Sequence, residues 1–187
     1  KKINNQYFYT DGNKENLKFV LEVAKILKLN KYLLIKTLKK FKGLKYRQER
    51  IFQSRKLTII NDSKATTFSS SLSLLKSLTN IYWIVGGQAK KGDKLLLSKK
   101  NCKNIKAYVF GNNKNFFVSK LKKLMKYEYF LDLKSLVKKL SLEIKVDKNT
   151  THKTILFSPS AASFDNFKNF EKRGEYFNQL VKKYINA

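Results

Sequence analysis

Apolar residues recur at three- and four-residue steps from Asn13 to about Phe41. Leu17, Val20, Val23, Ala24 and Leu27 follow that step, which predicts a helix with one buried stripe. Asn30 is placed to cap a second helix that carries Leu34, Leu38 and Phe41 inward, and Gly43 is placed to stop it. Such a hairpin is too small to be stable alone, so it is expected to pack on material upstream. After Arg47 the period changes. The runs 57–60, 81–85, 107–110 and 154–157 are short, nearly continuous and rich in Ile, Val and aromatics, as in strands buried on both faces of a parallel sheet. Helical stretches lie between them. Phe68, Leu72, Leu75 and Leu78 share one face; Leu133, Leu136, Val137 and Leu140 share another; Phe167, Phe170, Phe177, Leu180, Val181 and Tyr184 form the last stripe. The alternation predicts an open α/β domain of Rossmann-like type, mostly parallel and flanked by helices, preceded by the helical hairpin. No internal repeat or low-complexity linker interrupts it.

Composition narrows the chemistry. The chain has 187 residues and a formal charge of +28, from 41 Lys and Arg against 13 Asp and Glu. Only Arg47, Arg50, Arg55 and Arg173 are arginines, and the lysines are scattered through every segment. Specific phosphate and base readout favours the bidentate arginine fork, so this surplus reads first as a lysine-coated surface that attracts anions. A basic nucleic-acid-binding module stays open as an alternative. Cys102 alone excludes an internal disulfide framework, and one histidine, His152, makes a Ser-His triad improbable and sits in an expected surface loop. No apolar run approaches the ~18 residues of a membrane span and no signal-peptide pattern opens the chain, so a cytoplasmic setting without membrane insertion is expected. Lys1 stands where a start methionine would, and the chain is expected to be a piece of a longer protein.

The strand ends carry the candidate chemistry. Ligands of open α/β sheets sit beyond the carboxyl ends of the strands. Here each core run ends in a polar or glycine-rich patch: Asn61–Thr66, Gly86–Lys90, Gly111–Asn113 and Ser158–Ser163. In a parallel sheet these patches converge on one edge, and several start helices whose free N–H groups attract anions. Lys64, Thr66 and Lys90 are therefore a candidate cradle for a carboxylate or phosphate. Asp62 and Ser63 could instead simply cap the next helix, and Gly86-Gly87 could be an ordinary tight turn. No Walker-type phosphate loop and no dinucleotide fingerprint occurs, so any ATP must have its triphosphate gripped elsewhere. No carboxylate pair presents itself as an acid/base couple.

Two stretches carry a resemblance: Asn61-Asp62-Ser63-Lys64-Ala65-Thr66, and Ser158 through Asp165 followed by Phe167, Phe170 and Arg173-Gly174. They resemble the Mur ligases, and among these the D-glutamate-adding branch. Gly43–Glu49, the run Gly86-Gly87-x-x-Lys90-x-x-Asp93, and Asn13 and Asn16 fit the same family in the same order. Gly12, Tyr46 and Thr67 depart from it, standing where the family usually has His, His and Asn.

The resemblance implies a three-domain, ATP- and Mg2+-dependent enzyme of peptidoglycan precursor synthesis, and so of cell shape and division. It would add D-glutamate to UDP-N-acetylmuramoyl-L-alanine through an acyl phosphate. Residues 1–45 would be the end of the central ATP-binding domain and 46–187 the amino-acid-binding domain. Residues matching Asn13, Asn16, Arg47 and Asp62 would face the nucleotide. Those matching Lys64, Thr66, Lys90, Ser163, Phe164 and Phe170 would hold D-glutamate, with Lys64 and Lys90 as the catalytic cations. Magnesium ligands and the phosphate loop would lie upstream, so the piece alone is expected to be inactive. Its partners would be its own upstream domains, and a monomer is the default. A non-catalytic amino-acid-binding domain of the same fold remains the other alternative.

Overall fold

Two units make up the chain, Lys1–Leu44 and Lys45–Ala187, in a computed structural model that describes residues 3–147 and 150–185. The smaller unit opens with a 3₁₀ turn, Gln6–Tyr9, followed by α1 (Asp11–Ile26) and α2 (Lys31–Lys40). Asn30 caps α2 as its position predicts, its side-chain oxygen accepting from the N–H groups of Tyr32 and Leu33. The turn is tied down by Asn5, whose Nδ2 donates to the carbonyls of Leu38 (2.8 Å) and Phe41 (2.7 Å). The rings of Tyr7, Phe8 and Phe41 pack together beside it.

The apolar stripe of α1 is not covered within this chain. Only Ala24 of that series is buried; Val20 is exposed, Val23 is 52% exposed and Leu27 63%. Within this unit the first turns of α1 lean on the 3₁₀ turn, and no third layer of the unit covers the rest of the apolar face among the described residues. Leu38 is buried as expected, whereas Phe41 lies just past the end of α2 and is partly exposed.

The larger unit is a six-stranded sheet of β1 (Glu49–Gln53), β2 (Leu57–Asn61), β3 (Ile81–Gly86), β4 (Ile105–Phe110), β5 (Lys126–Phe130) and β6 (Lys153–Phe157). Their spatial order is β1-β2-β6-β3-β4-β5. All neighbours are parallel except β1, which runs antiparallel to β2. The connecting helices are α3 (Phe68–Ser77), α4 (Lys99–Cys102), α5 (Lys114–Leu121) and α6 (Leu133–Val146), with α7 (Phe170–Tyr184) closing the chain. The four continuous apolar runs are the four central strands. Right-handed crossovers explain the layering: stepping β2→β3→β4→β5 in one direction puts α3, α4 and α5 on one face, and the return to β6 puts α6 on the other.

Side-chain alternation feeds both cores. Ile60, Trp83, Val85, Val109 and Leu156 pack with Phe68, Leu74, Leu75, Phe117 and Leu121 on the first face. Ile59, Ile84, Tyr108, Phe110, Ile155 and Phe157 pack with Leu136, Val137, Leu140, Phe177, Leu180 and Val181 on the second. Two helix faces differ from expectation. The buried side of α3 is Phe68, Ser71, Leu74 and Leu75, with Leu72 and Leu78 half-buried, because a serine is turned inward beneath the loop after β6. Phe167 precedes α7 and packs against Tyr176 from the loop.

Candidate functional site

Parallel pairing of β2, β6 and β3 sends three polar loops off the same edge, and backbone hydrogen bonds lace them together. Asp62 N–H donates to the Phe157 carbonyl at 2.7 Å, and Gly86 N–H to the Pro159 carbonyl at 3.0 Å. Gln88 and Ala162 exchange a pair of backbone bonds, 2.8 and 3.1 Å. This closeness dictates the double glycine. Gly87 has φ +125, and a Cβ there would lie 2.5 Å from the Ala162 carbonyl and 2.9 Å from the Arg173 guanidinium. Lys64, Lys90 and Ser163 thus belong to loops that meet on one edge.

Beneath these loops sits a buried cation. Arg173, on the first turn of α7, is fully buried. Its Nη2 donates to the Ser63 carbonyl (2.7 Å), its Nε to Ser63 Oγ (3.1 Å) and its Nη1 to the Ala161 carbonyl (2.9 Å). One guanidinium therefore joins the loop after β2 to the loop after β6, a job that needs a planar fork. Burial lowers its pKa to about 10, which leaves it charged at neutral pH. Ser63 Oγ in turn donates to the Phe170 carbonyl at 2.8 Å.

Lys64 is half-buried, its Nζ 4.0 Å from the centroid of the Phe170 ring, so the cation rests on an aromatic face. Thr66 is half-buried, and Lys90 is exposed on the loop after Gly87. That loop is tied to α3 through Asp93, whose carboxylate accepts from Phe68 N–H at 2.7 Å and whose own N–H donates to the Lys90 carbonyl. Neither Lys64 nor Lys90 has a carboxylate within ion-pair distance among the described residues. Ser163 is buried and its carbonyl accepts from Phe167 N–H. Phe164 stands 71% exposed, so nothing in this chain encloses its ring.

Asp62 does not cap α3; Thr67 does, accepting from Ser70 N–H. The Asp62 carboxylate is buried, accepting from Gln48 N–H (3.1 Å) and Ser158 Oγ (2.8 Å). Burial pushes its pKa up to about 7 against the pull of those two donors and of Arg47. Arg47 is exposed on the turn between Tyr46 and Gln48, both in the left-handed region at φ 61 and 50. Tyr46 packs on Gly174, where no side chain would fit, and its carbonyl accepts from Lys64 N–H. The Arg47 turn and the Asp62 loop are thereby one hydrogen-bonded piece. Asn13 and Asn16 lie in the smaller unit. Asn13 is buried, its Nδ2 donating to the Tyr7 carbonyl at 2.7 Å, and Asn16 is exposed.

No cluster of three His, Cys, Asp or Glu side chains among the described residues is placed to hold a metal ion. A separate cavity of about 490 Å³ opens at the opposite, amino end of the strands, lined by Ile81, Tyr82, Cys102, Ile105 and Met125 among others. None of the residues discussed above lines it.

Comparison with known proteins decides the family. No protein-family profile matches the chain. A UDP-N-acetylmuramoylalanine–D-glutamate ligase of Wolbachia from Brugia malayi is 37% identical over 172 residues, covering 92% of this chain and 34% of that protein. Ligases of the same name from Francisella tularensis (34% identical; 92% of this chain, 41% of that protein) and Rickettsia bellii (33%; 96% and 40%) align similarly. The chain belongs to the Mur ligase family. It spans roughly a third to two-fifths of the length of those curated relatives, consistent with a C-terminal part. A crystal structure of UDP-N-acetylmuramate–alanine ligase MurC from Thermotoga maritima shares its fold, with a TM-score of 0.57 at 15% identity over 93% of this chain and 38% of that one.

Three residues of this Mur ligase chain stayed outside the sequence-based site. Arg173 entered only as part of a motif. One signal could have singled it out: in so lysine-rich a chain, an arginine on an otherwise apolar helix face marks a place where fork geometry matters. Ser71 looked like one of several helix serines. Asp165 gave no sign of its environment; its Oδ1 is buried without a hydrogen-bond partner, its Oδ2 accepts from Asn166, and burial raises its pKa.

Proposed function

We propose that this chain is the amino-acid-binding part of an ATP-dependent ligase that adds D-glutamate to UDP-N-acetylmuramoyl-L-alanine in peptidoglycan precursor synthesis. The single observation that supports the reading is the edge where three cross-bonded loops, carrying Lys64, Lys90 and Ser163, leave the sheet side by side, with no carboxylate among the described residues within ion-pair distance of either lysine. A diacid needs fixed donors and positive charge at both ends, and such a seat supplies them. Lys64, Thr66, Lys90, Ser163, Phe164 and Phe170 hold D-glutamate in this reading, and Arg47, Asp62, Asn13 and Asn16 face the nucleotide.

ATP supplies the activation of the substrate carboxylate as an acyl phosphate, and the amine of D-glutamate then displaces phosphate. This chain's own share is positioning and charge. Lys64, stiffened on the Phe170 ring, and Lys90, on a loop pinned by Asp93, orient the amino acid and offset negative charge that builds up at the reacting carbonyl. Arg173 adds fixed positive potential from below without touching the ligand. The phosphate loop and magnesium ligands belong to the upstream part. Residues 1–45 are proposed as the end of the central ATP-binding domain, and the exposed apolar face of α1 supports a partner surface there. No helix among the described residues is long and apolar enough to cross a membrane, and the proposed setting is the cytoplasm, with the enzyme a monomer.

The test is D-glutamate-dependent ADP release by the full-length enzyme. Lys90→Ala and Lys64→Ala are each expected to lower kcat/KM for D-glutamate by roughly thirtyfold or more, as when one member of a desolvated charge pair is removed. Unchanged dependence on D-glutamate in both variants would refute the seat. The 187-residue chain alone is expected to release no ADP.

A further inference from the structure

Four buried side chains of the larger unit make a line of hydrogen bonds that the proposed function leaves unexplained. Ser158 Oγ donates to Asp62 Oδ2 (2.8 Å); Ser71 Oγ lies 2.6 Å from Ser158 Oγ and 2.6 Å from Ser160 Oγ. All three serines are essentially inaccessible to water. With Asp62 ionised, proton counting fixes the direction. A hydroxyl has one proton to give. Ser158 spends its proton on the Asp62 carboxylate, so Ser71 must donate to Ser158. Ser71 then has none left, so Ser160 must donate to Ser71, in competition only with a longer 3.3 Å bond to the Ser158 carbonyl. Bonds aligned head to tail in this way strengthen one another in a dry interior.

The line connects two loops with separate proposed duties. Asp62 sits with the Arg47 turn; Ser158 and Ser160 begin the segment that ends at Ser163. Ser160 is held in the left-handed region, φ 56, which a serine adopts at a cost. Its hydroxyl bond to α3 is what opposes that cost. Farther along, Ala161 is held by Arg173 and Ala162 by Gln88; in the first half of the loop Trp83 and Gly86 hold the carbonyls of Ser158 and Pro159, and Ser71 holds the hydroxyls of Ser158 and Ser160.

We propose that Ser71 is a positioning residue: through the directed line Ser160→Ser71→Ser158→Asp62 it sets the 158–163 loop against the anion seat and links that loop to Asp62. The inference rests on the proposed function for its consequence in catalysis, though not for its structural content. Asp62 is faced by Arg47 as a charge and by Gln48 N–H and Ser158 Oγ as donors, so its titration reads the state of the line. A convenient reporter is Trp83, the chain's one tryptophan, whose buried indole N–H donates to the Ser158 carbonyl at 2.8 Å.

The experiment follows the Trp83 indole N–H resonance of the 187-residue chain against pH. Ser71→Ala should weaken the donor on Asp62 and raise the titration midpoint by about half a pH unit. Ser160→Gly, which removes the hydroxyl while relieving the left-handed strain, should move it the same way by less. Ser71→Thr, which keeps the hydroxyl, should stay near the parent. Equal midpoints in the parent, Ser71→Ala and Ser160→Gly, or equal shifts for Ser71→Ala and Ser71→Thr, would overturn the line. In the full-length enzyme, Ser71→Ala should raise KM for D-glutamate about fivefold with a smaller change in kcat, and Ser71→Thr should restore it. A shifted midpoint with KM unaltered would overturn the positioning role, whereas loss of the Lys64 and Lys90 effects would overturn the function and leave the midpoint result standing.

Discussion

The two ends of the parallel strands treat lysine in opposite ways. At the amino end Lys106 bridges Glu128 (2.6 Å) and Glu143 (3.0 Å), Lys153 pairs with Asp147, and Tyr108 donates to Glu143 at 2.5 Å. Tyr108 and Lys106 hold the Glu143 carboxyl below its usual range against the pull of burial, and burial, reinforced by Glu143, drives the Tyr108 phenol far up. At the carboxyl end Lys64, Lys90 and Arg47 have no carboxylate within ion-pair distance among the described residues, and the buried carboxylate at that edge, Asp62, accepts from two neutral donors. Unpaired charges of a single sign at one edge attract anions, which partly buried ion pairs at the other edge do not. Position along the strand, more than residue type, separates structural lysines from candidate functional ones in a chain coated with them.

The strongest way to break that comparison is at the cation that bridges the loops. Arg173→Met should cost the larger unit about 3–5 kcal/mol, because carbonyls of Ser63 and Ala161 lose their donors in a dry interior. Arg173→Lys should recover little, since one ammonium cannot serve both loops. Urea unfolding of the chain measures both, and a loss under 1 kcal/mol would show that the loops hold without it. Next comes the contrast itself. Lys106→Met should cost about 1–2 kcal/mol, less than a fully buried pair because the side chain keeps 29% exposure. Lys90→Ala should leave stability within about 0.5 kcal/mol. Comparable losses in the two variants would erase the distinction between the ends.

A finer test uses pH. The folded pKa of Asp62, about 7, lies above its unfolded value near 3.8, so the folded state binds this proton more tightly. The group's stabilising contribution is complete below the unfolded value and is lost as pH climbs through about 7. Asp62→Asn cannot ionise. Its Tm relative to the parent should therefore rise between pH 4 and pH 8, and a constant difference over that window would contradict the burial argument.

Much of this organisation was legible in the sequence, for a physical reason. Strands covered on both faces must be apolar throughout, which made β2, β3, β4 and β6 visible as unbroken runs. The edge strands escaped notice because Glu49–Gln53 and Lys126–Phe130 mix charges with aromatics, as half-solvated strands do. The periodicity of α1 reports what a helix could cover, not whether the covering surface lies within this chain. At the site, loops at strand ends could be assembled from topology alone. Arg173 and Ser71 could not, since each acts across a long stretch of chain: Arg173 reaches Ser63 over 110 residues and Ser71 reaches Ser158 over 87.

The place of β6 has a consequence for how the chain is made. It is the last strand in sequence and sits in the middle of the sheet, between β2 and β3. Until residues 153–157 leave the ribosome, the β1-β2 pair and the β3-β4-β5 ribbon each present a bare apolar edge where β6 will insert. Pairings that span nearly a hundred residues form slowly and leave such edges open to other chains. A nascent or prematurely stopped chain is thus a pair of sticky half-sheets, and the final strand is the clasp that joins them into one sheet.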